Sequence, residues 1–255
     1  ALDDYRLGKM IQPECLNTLI LQGDSVGYWL ACSPEVRALL ALDGYRLGKL
    51  ITCECLNAVI LQGDRQGMSV AHWLAGTQEG RALLALDNYR LGKLITPESL
   101  NAVILQGPRQ GLSLAYGLAC SLEGRALLAL DGYRLGKMIT PECLNAVVLH
   151  GPNQGESVAF LLAETQEGRA LLALDDYRLG KLITHESLNA MVLRGRFQGQ
   201  SVRTRLQESP RGKALLDILE AEAVTTPAIT SSFFDTKGTH TNRGTKGPEV
   251  DNSNS

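Results

Sequence analysis

Residues 86–101 read Leu-Asp-Asn-Tyr-Arg-Leu-Gly-Lys-Leu-Ile-Thr-Pro-Glu-Ser-Leu-Asn. The central string, YRLGK, occurs five times, starting at Tyr5, Tyr45, Tyr89, Tyr133 and Tyr177. The first interval is 40 residues and the next three are 44 each. A fixed period of this size predicts stacked units, each too small to bury its apolar face alone.

Working outward, the unit from Gly67 to Gly111 predicts three helices. The first covers Ser69 to Ala75, with Ser69 as cap and Val70, Ala71 and Leu74 on one apolar face. The second runs from about Gln78 to Tyr89 or a little beyond, after the cap candidate Thr77. Glu79 lies in its first turn, where the helix dipole favours negative charge. Ala82, Leu83, Leu86 and Tyr89 form its expected buried stripe, and Gly92 then turns the chain. The third covers Pro97 to Leu105. Thr96-Pro97-Glu98 is its start signal, and Leu100, Val103 and Ile104 are its apolar face. Loops reading DRQG, PRQG, PNQG and RFQG follow Gly63, Gly107, Gly151 and Gly195. The first unit lacks four residues there, which accounts for its shorter interval and places the difference in a surface loop. Period-two alternation is rare and no unit carries a Trp-Asp pair, so propeller blades are not expected.

The chain has 255 residues, with 25 basic and 27 acidic side chains. That balance argues against a dedicated nucleic-acid or anionic-membrane surface. No apolar run approaches the ~20 residues of a membrane span, and no signal-peptide pattern is read at the start. The chain opens on Ala1, inside a unit, as a fragment of a longer protein would. Of its six cysteines, Cys15, Cys55 and Cys143 share a unit position with Ser99 and Ser187. A position that accepts Cys or Ser asks for a small side chain, so reduced thiols and a cytoplasmic compartment are expected. Cys53 and Cys55 are too closely spaced for a zinc pattern, and no partner pair follows. Neither a metal nor a cofactor is expected.

Gly67-Met68-Ser69-Val70-Ala71-His72-Trp73-Leu74-Ala75, followed by Gly80 and an Ala/Leu-rich second helix, resembles the ankyrin repeat. Ser69 and His72 stand where Thr and His open the first ankyrin helix, while Val70 replaces the Pro. The unit is about eleven residues longer than an ankyrin repeat, and the TPESLNAVIL segment takes the place of the ankyrin β-turn. Three helices in 44 residues also resemble armadillo and HEAT units. Over roughly residues 1–220 the wording is similar to ankyrin-like repeats in effectors of intracellular bacteria such as Legionella. This resemblance implies a module that binds a host protein in the host cytosol.

Candidate residues divide into recurrent and variable positions. Arg6, Arg46, Arg90, Arg134 and Arg178, with Lys9, Lys49, Lys93, Lys137 and Lys181, could form a basic ladder along a phosphate backbone. Acidic residues recur beside them, so bridging between units or solvation of a face is the preferred reading. Asn17, Asn57, Asn101, Asn145 and Asn189 read as a ladder that satisfies backbone groups between units. One position holds Trp29, Trp73, Gly117, Leu161 and Arg205, and the position before it holds Tyr28, His72, Tyr116, Phe160 and Thr204. A position that varies from Trp to Gly is not expected deep in a core, and aromatic anchors mark interface hot spots. Tyr28, Trp29, His72, Trp73, Tyr116, Phe160, Arg109 and Arg205 are therefore the expected partner-binding residues. The competing reading has Trp29 and Trp73 filling gaps against the adjacent unit.

Catalysis is not expected. The four G-x-S strings lack the second Gly of a nucleophile elbow, and no phosphate loop, dinucleotide fingerprint or HExxH occurs. The four histidines occupy non-equivalent positions. Near the end, Arg211 to Glu222, with Leu215, Leu216, Ile218 and Leu219 inward, reads as a terminal cap. Residues 224–255 are polar and are expected to be a disordered tail, with Phe233 and Phe234 its only bulky apolar residues.

These observations predict an all-α solenoid, a right-handed stack of units near 1–40, 41–84, 85–128, 129–172 and 173–223. The expected function is a monomeric protein–protein interaction scaffold. The alternatives are nucleic-acid binding along the basic ladder and a targeting module of a longer enzyme.

Overall fold

The computed structural model describes residues 10–18, 26–62, 66–104 and 110–225. Among these the chain is all-α, without a named strand. The helices are α1 (Pro13–Asn17), α2 (Val26–Cys32), α3 (Pro34–Leu50), α4 (Cys53–Asn57), α5 (Val70–Ala75), α6 (Gln78–Leu94), α7 (Pro97–Asn101), α8 (Leu114–Ala119), α9 (Leu122–Met138) and α10 (Pro141–Asn145). After these come α11 (Val158–Glu164), α12 (Gln166–Leu172), α13 (Leu174–Tyr177), α14 (His185–Asn189), α15 (Val202–Gln207) and α16 (Pro210–Thr225).

Hydroxyl caps set the helix starts. The Ser69 hydroxyl accepts from the backbone N–H of His72, Thr77 from Gly80 and Thr96 from Ser99. The same three bonds recur at Ser113, Ser121 and Thr140 in the next unit. Each satisfies a donor that the first turn leaves free.

Corresponding helices of successive sequence units pack together. One row runs α2, α5, α8, α11, α15, and a second runs α3, α6, α9, α12, α16. Within a unit the two rows pack on each other, and the short helices α1, α4, α7, α10 and α14 each pack on the first-row helix that follows. The core is one continuous cluster along both rows, rich in Leu and Ala, including Leu40, Leu74, Leu84, Leu118, Leu128, Leu162 and Leu206.

Asn side chains join the units. Asn57 donates to Leu94 O at 2.8 Å and accepts from Thr96 N at 3.2 Å. Asn101 makes the same pair with Met138 O and Thr140 N, and Asn145 with Leu182 O and Thr184 N. Carbonyls at the end of one helix and amides at the start of the next are thereby satisfied by the preceding unit.

Two expectations require correction. In the described units the second helix is not one continuous right-handed helix. In α6, Leu86 turns to ψ 158°, and Asp87, Asn88 and Tyr89 have φ of 51°, 56° and 61°. The chain makes a left-handed turn and then resumes to Leu94. The same turn recurs at Asp131, Gly132 and Tyr133. Of the expected stripe, Leu83 and Tyr89 are buried, together with Leu84 and Leu91, while Ala82 and Leu86 are exposed. Gly92 lies inside the resumed helix, where the Tyr89 ring occupies the space of a β-carbon. The third helix, in turn, ends at Asn101, not Leu105. Beyond it Ile104 exchanges backbone bonds with the next loop, donating to Leu112 O at 2.8 Å and accepting from Gly111 N at 2.9 Å. β-Branched residues favour this extended pairing. Ile104 is still buried, and Val103 pairs with Ser113 in an isolated bridge.

At the end of the rows, Leu215 and Leu216 of α16 are buried and Ile218 and Leu219 partly so. That helix reaches Thr225, into the segment expected as tail. The rest of that segment, with Phe233 and Phe234, lies outside the described residues, as do Tyr5, Arg6 and Lys9. Among the described residues no helix is long and apolar enough to cross a membrane.

Candidate functional site

The variable positions lie on the first-row helices. Helices α5, α8, α11 and α15 each begin at a Ser cap and carry their two variable residues in the first turn and a half. Tyr28, His72, Tyr116 and Phe160 are all buried, His72 being the most exposed at 7 %. Against the expectation of an exposed partner-binding surface, these four side chains are buried. His72, Tyr116 and Phe160 each follow their capping Ser by three residues, which sets them on one common face of their helices.

The next position is more open. Trp29 is 51 % exposed, and Trp73 and Arg205 are half-buried. Leu161 is buried, and Arg109 lies outside the described residues. Tyr28 meets Trp29 edge to face at 6.1 Å between ring centroids, and Trp73 of the next unit at 6.3 Å. Trp73 thus reaches back from α5 to the aromatic ring of α2. At the far end, Phe197 packs on Phe160 at 5.5 Å, with the Arg196 and Arg205 guanidinium groups 5.0 and 4.8 Å from its centroid. Phe197 was not among the expected residues. The signal for it was present, since RFQG is the only one of the four loops with an aromatic residue.

Between these clusters stands Gly117, where a side chain is missing from the row. A pocket of 230 Å³ opens there, between α5 and α8. Met68, His72, Ile104 and Tyr116 form its buried walls, and Gly76 and Cys120 are exposed at its edge. Behind the wall, the Tyr116 hydroxyl donates to Glu156 Oε2 at 2.7 Å. Burial raises the Glu156 carboxyl above its ordinary value, partly offset by the Tyr116 bond and reinforced by Glu164.

Several of the recurrent cations are engaged with neighbouring units. Arg90 donates to Gly48 O of the preceding unit at 3.2 Å, and Arg134 to Gly92 O and Ile95 O at 3.4 and 3.1 Å. Lys49 pairs with Asp87, and Lys137 with Asp175, each at 3.9 Å across a unit boundary. The Arg37, Arg81, Arg125 and Arg169 series donates to Ala31 O, Ala75 O, Ala119 O and Ala163 O at 2.7–2.9 Å. Cys55 and Cys143 are buried, as are Ser99 and Ser187 at the same position. Among the described residues no group of three His, Cys, Asp or Glu side chains could hold a metal ion.

No family model, curated protein or solved structure matches this chain.

Proposed function

We propose that the chain is an α-solenoid that holds a partner protein on the face carrying α2, α5 and α8. One contrast supports this reading above all. Recurrent polar side chains are spent on bonds between units, whereas the residues that differ between units open toward solvent at Trp29, Trp73 and Gly117. A surface made variable on a constant frame is what recognition by stacked units requires. Trp29 supplies a large, half-exposed aromatic anchor at its edge. The resemblance to effector repeats would make that partner a host protein.

The protein-recognition reading is preferred to the basic ladder because the Arg90 and Arg134 guanidinium groups donate to carbonyl oxygens of the preceding unit.

The test is capture from eukaryotic cell lysate by the protein and by its Trp29→Ala/Trp73→Ala variant, with a thermal melt of each. Lost capture at unchanged Tm supports the interface. Unchanged capture removes this face, and a large fall in Tm returns both tryptophans to packing between units.

A further inference from the structure

We infer that the pocket at Gly117 receives one planar aromatic side chain of the partner. This rests on the protein-recognition reading and gives it a specific contact.

The molecule supplies the template for this contact. In the neighbouring pair of helices, Trp73 of α5 extends back to α2 and lies edge to face on Tyr28, at an interplanar angle of 78°. Gly117 holds the Trp73 position one unit later, and its missing β-carbon would point back at Ala75 of α5, 3.6 Å from Ala75 Cβ. The receiving side is in place, with His72 where Tyr28 stands, but no ring arrives from α8. The space left is 230 Å³. That is smaller than the ~300–1,000 Å³ of sites for drug-sized ligands, so it suits a single ring system. Arg81 also lines it, held in place by Ala75 O at 2.9 Å. A fixed guanidinium beside a ring favours an aromatic guest over an aliphatic one, as Arg205 over Phe197 illustrates within this chain.

The test uses indole as the isolated ring, cyclohexanol as an aliphatic comparison, and the whole chain with two substitutions. Gly117→Leu fills the pocket, and Gly117→Ala adds only a β-carbon at ordinary contact distance. Both replacements favour helix, and circular dichroism checks the fold. Titration should show indole binding on the order of 1 mM, typical of a ligand with so few atoms. Gly117→Ala should keep that affinity, and Gly117→Leu should weaken it at least about tenfold, with cyclohexanol clearly weaker than indole on the unsubstituted chain. Lysate capture should fall with Gly117→Leu. Absence of indole binding, or equal binding to Gly117→Leu, overturns the pocket. Equal binding of cyclohexanol overturns the aromatic preference. Indole binding lost in Gly117→Leu with capture unchanged overturns the partner side chain as its source, leaving a free aromatic compound. If indole fails while Trp29→Ala/Trp73→Ala still abolishes capture, only this inference falls and the recognition face stands.

Discussion

Asn101 Oδ1 accepts the backbone N–H of Thr140 at 2.9 Å, while its amide group donates to Met138 O at 2.7 Å. One short side chain thus closes the gap between two helices of the following unit. Replacing it with Ala leaves a partly buried donor and acceptor unpaired, at about 1–3 kcal/mol in total. Asn189 is the internal control, since it is exposed, meets no further Thr amide, and its Oδ1 accepts from Arg203 Nε at 2.9 Å. Urea unfolding should show Asn101→Ala clearly less stable than Asn189→Ala. Equal losses would remove the ladder as a stabilising device.

Gly132 sits at φ 64°, with nothing within 4 Å of where its β-carbon would lie. Gly132→Ala therefore tests backbone conformation alone and should cost about 1 kcal/mol. Asn88 occupies the same place at φ 56°. Asn88→Gly should stabilise by a few tenths of a kcal/mol, because Gly adopts this conformation without steric cost. The opposite signs in a denaturant titration would contradict the left-handed turn.

The Tyr133 ring lies across Gly136, where a β-carbon has no room, and its hydroxyl donates to Leu171 O at 3.3 Å. Gly136→Ala should cost about 3 kcal/mol by overpacking, well above Gly132→Ala. Tyr133→Phe should cost about 1 kcal/mol through the lost bond. The Tyr133→Ala/Gly136→Ala double variant should be more stable than the sum of its single costs predicts, since removing the ring removes the clash. Strict additivity would separate the two residues.

Glu156 gives a pH dependence with a definite sign. Its carboxyl is raised in the folded state chiefly by burial, with Tyr116 lowering it and Glu164 raising it. The folded chain then holds this proton at pH values where the unfolded chain has lost it. Its contribution is fully present below the unfolded value and is lost as pH rises through the folded one. Glu156→Gln, which the equivalent Gln200 shows to be acceptable, keeps an acceptor for Tyr116 without titrating. Its stability relative to the unsubstituted protein should grow between pH 4 and pH 7. A difference flat across that range would contradict the assignment.

Much of the local structure is legible in the residues. Ser69, Thr77 and Thr96 mark three helix starts because a hydroxyl cap is a contact between near neighbours. The Asn ladder follows from a polar residue recurring at one place in an otherwise apolar stack. The left-handed turn was also written in the chain. After the constant Asp, the position that turns holds Gly44, Asn88, Gly132 and Asp176, the residue types that tolerate positive φ. It was hidden because Ala82, Leu83, Leu86 and Tyr89 read as one helical apolar spacing across the break. Val103 and Ile104 misled similarly, since an apolar pair reads the same in a short helix and in an extended segment.

Sequence alone therefore determined the period, the helix starts and the residues that repeat, because each depends on neighbours a few positions away or on simple self-comparison. Only the tertiary structure decided that Tyr28, His72, Tyr116 and Phe160 face inward, that Tyr133 covers Gly136, and that Gly117 leaves a pocket. Burial and emptiness are properties of the space between two units. That space exists only after segments some forty residues apart have been packed side by side.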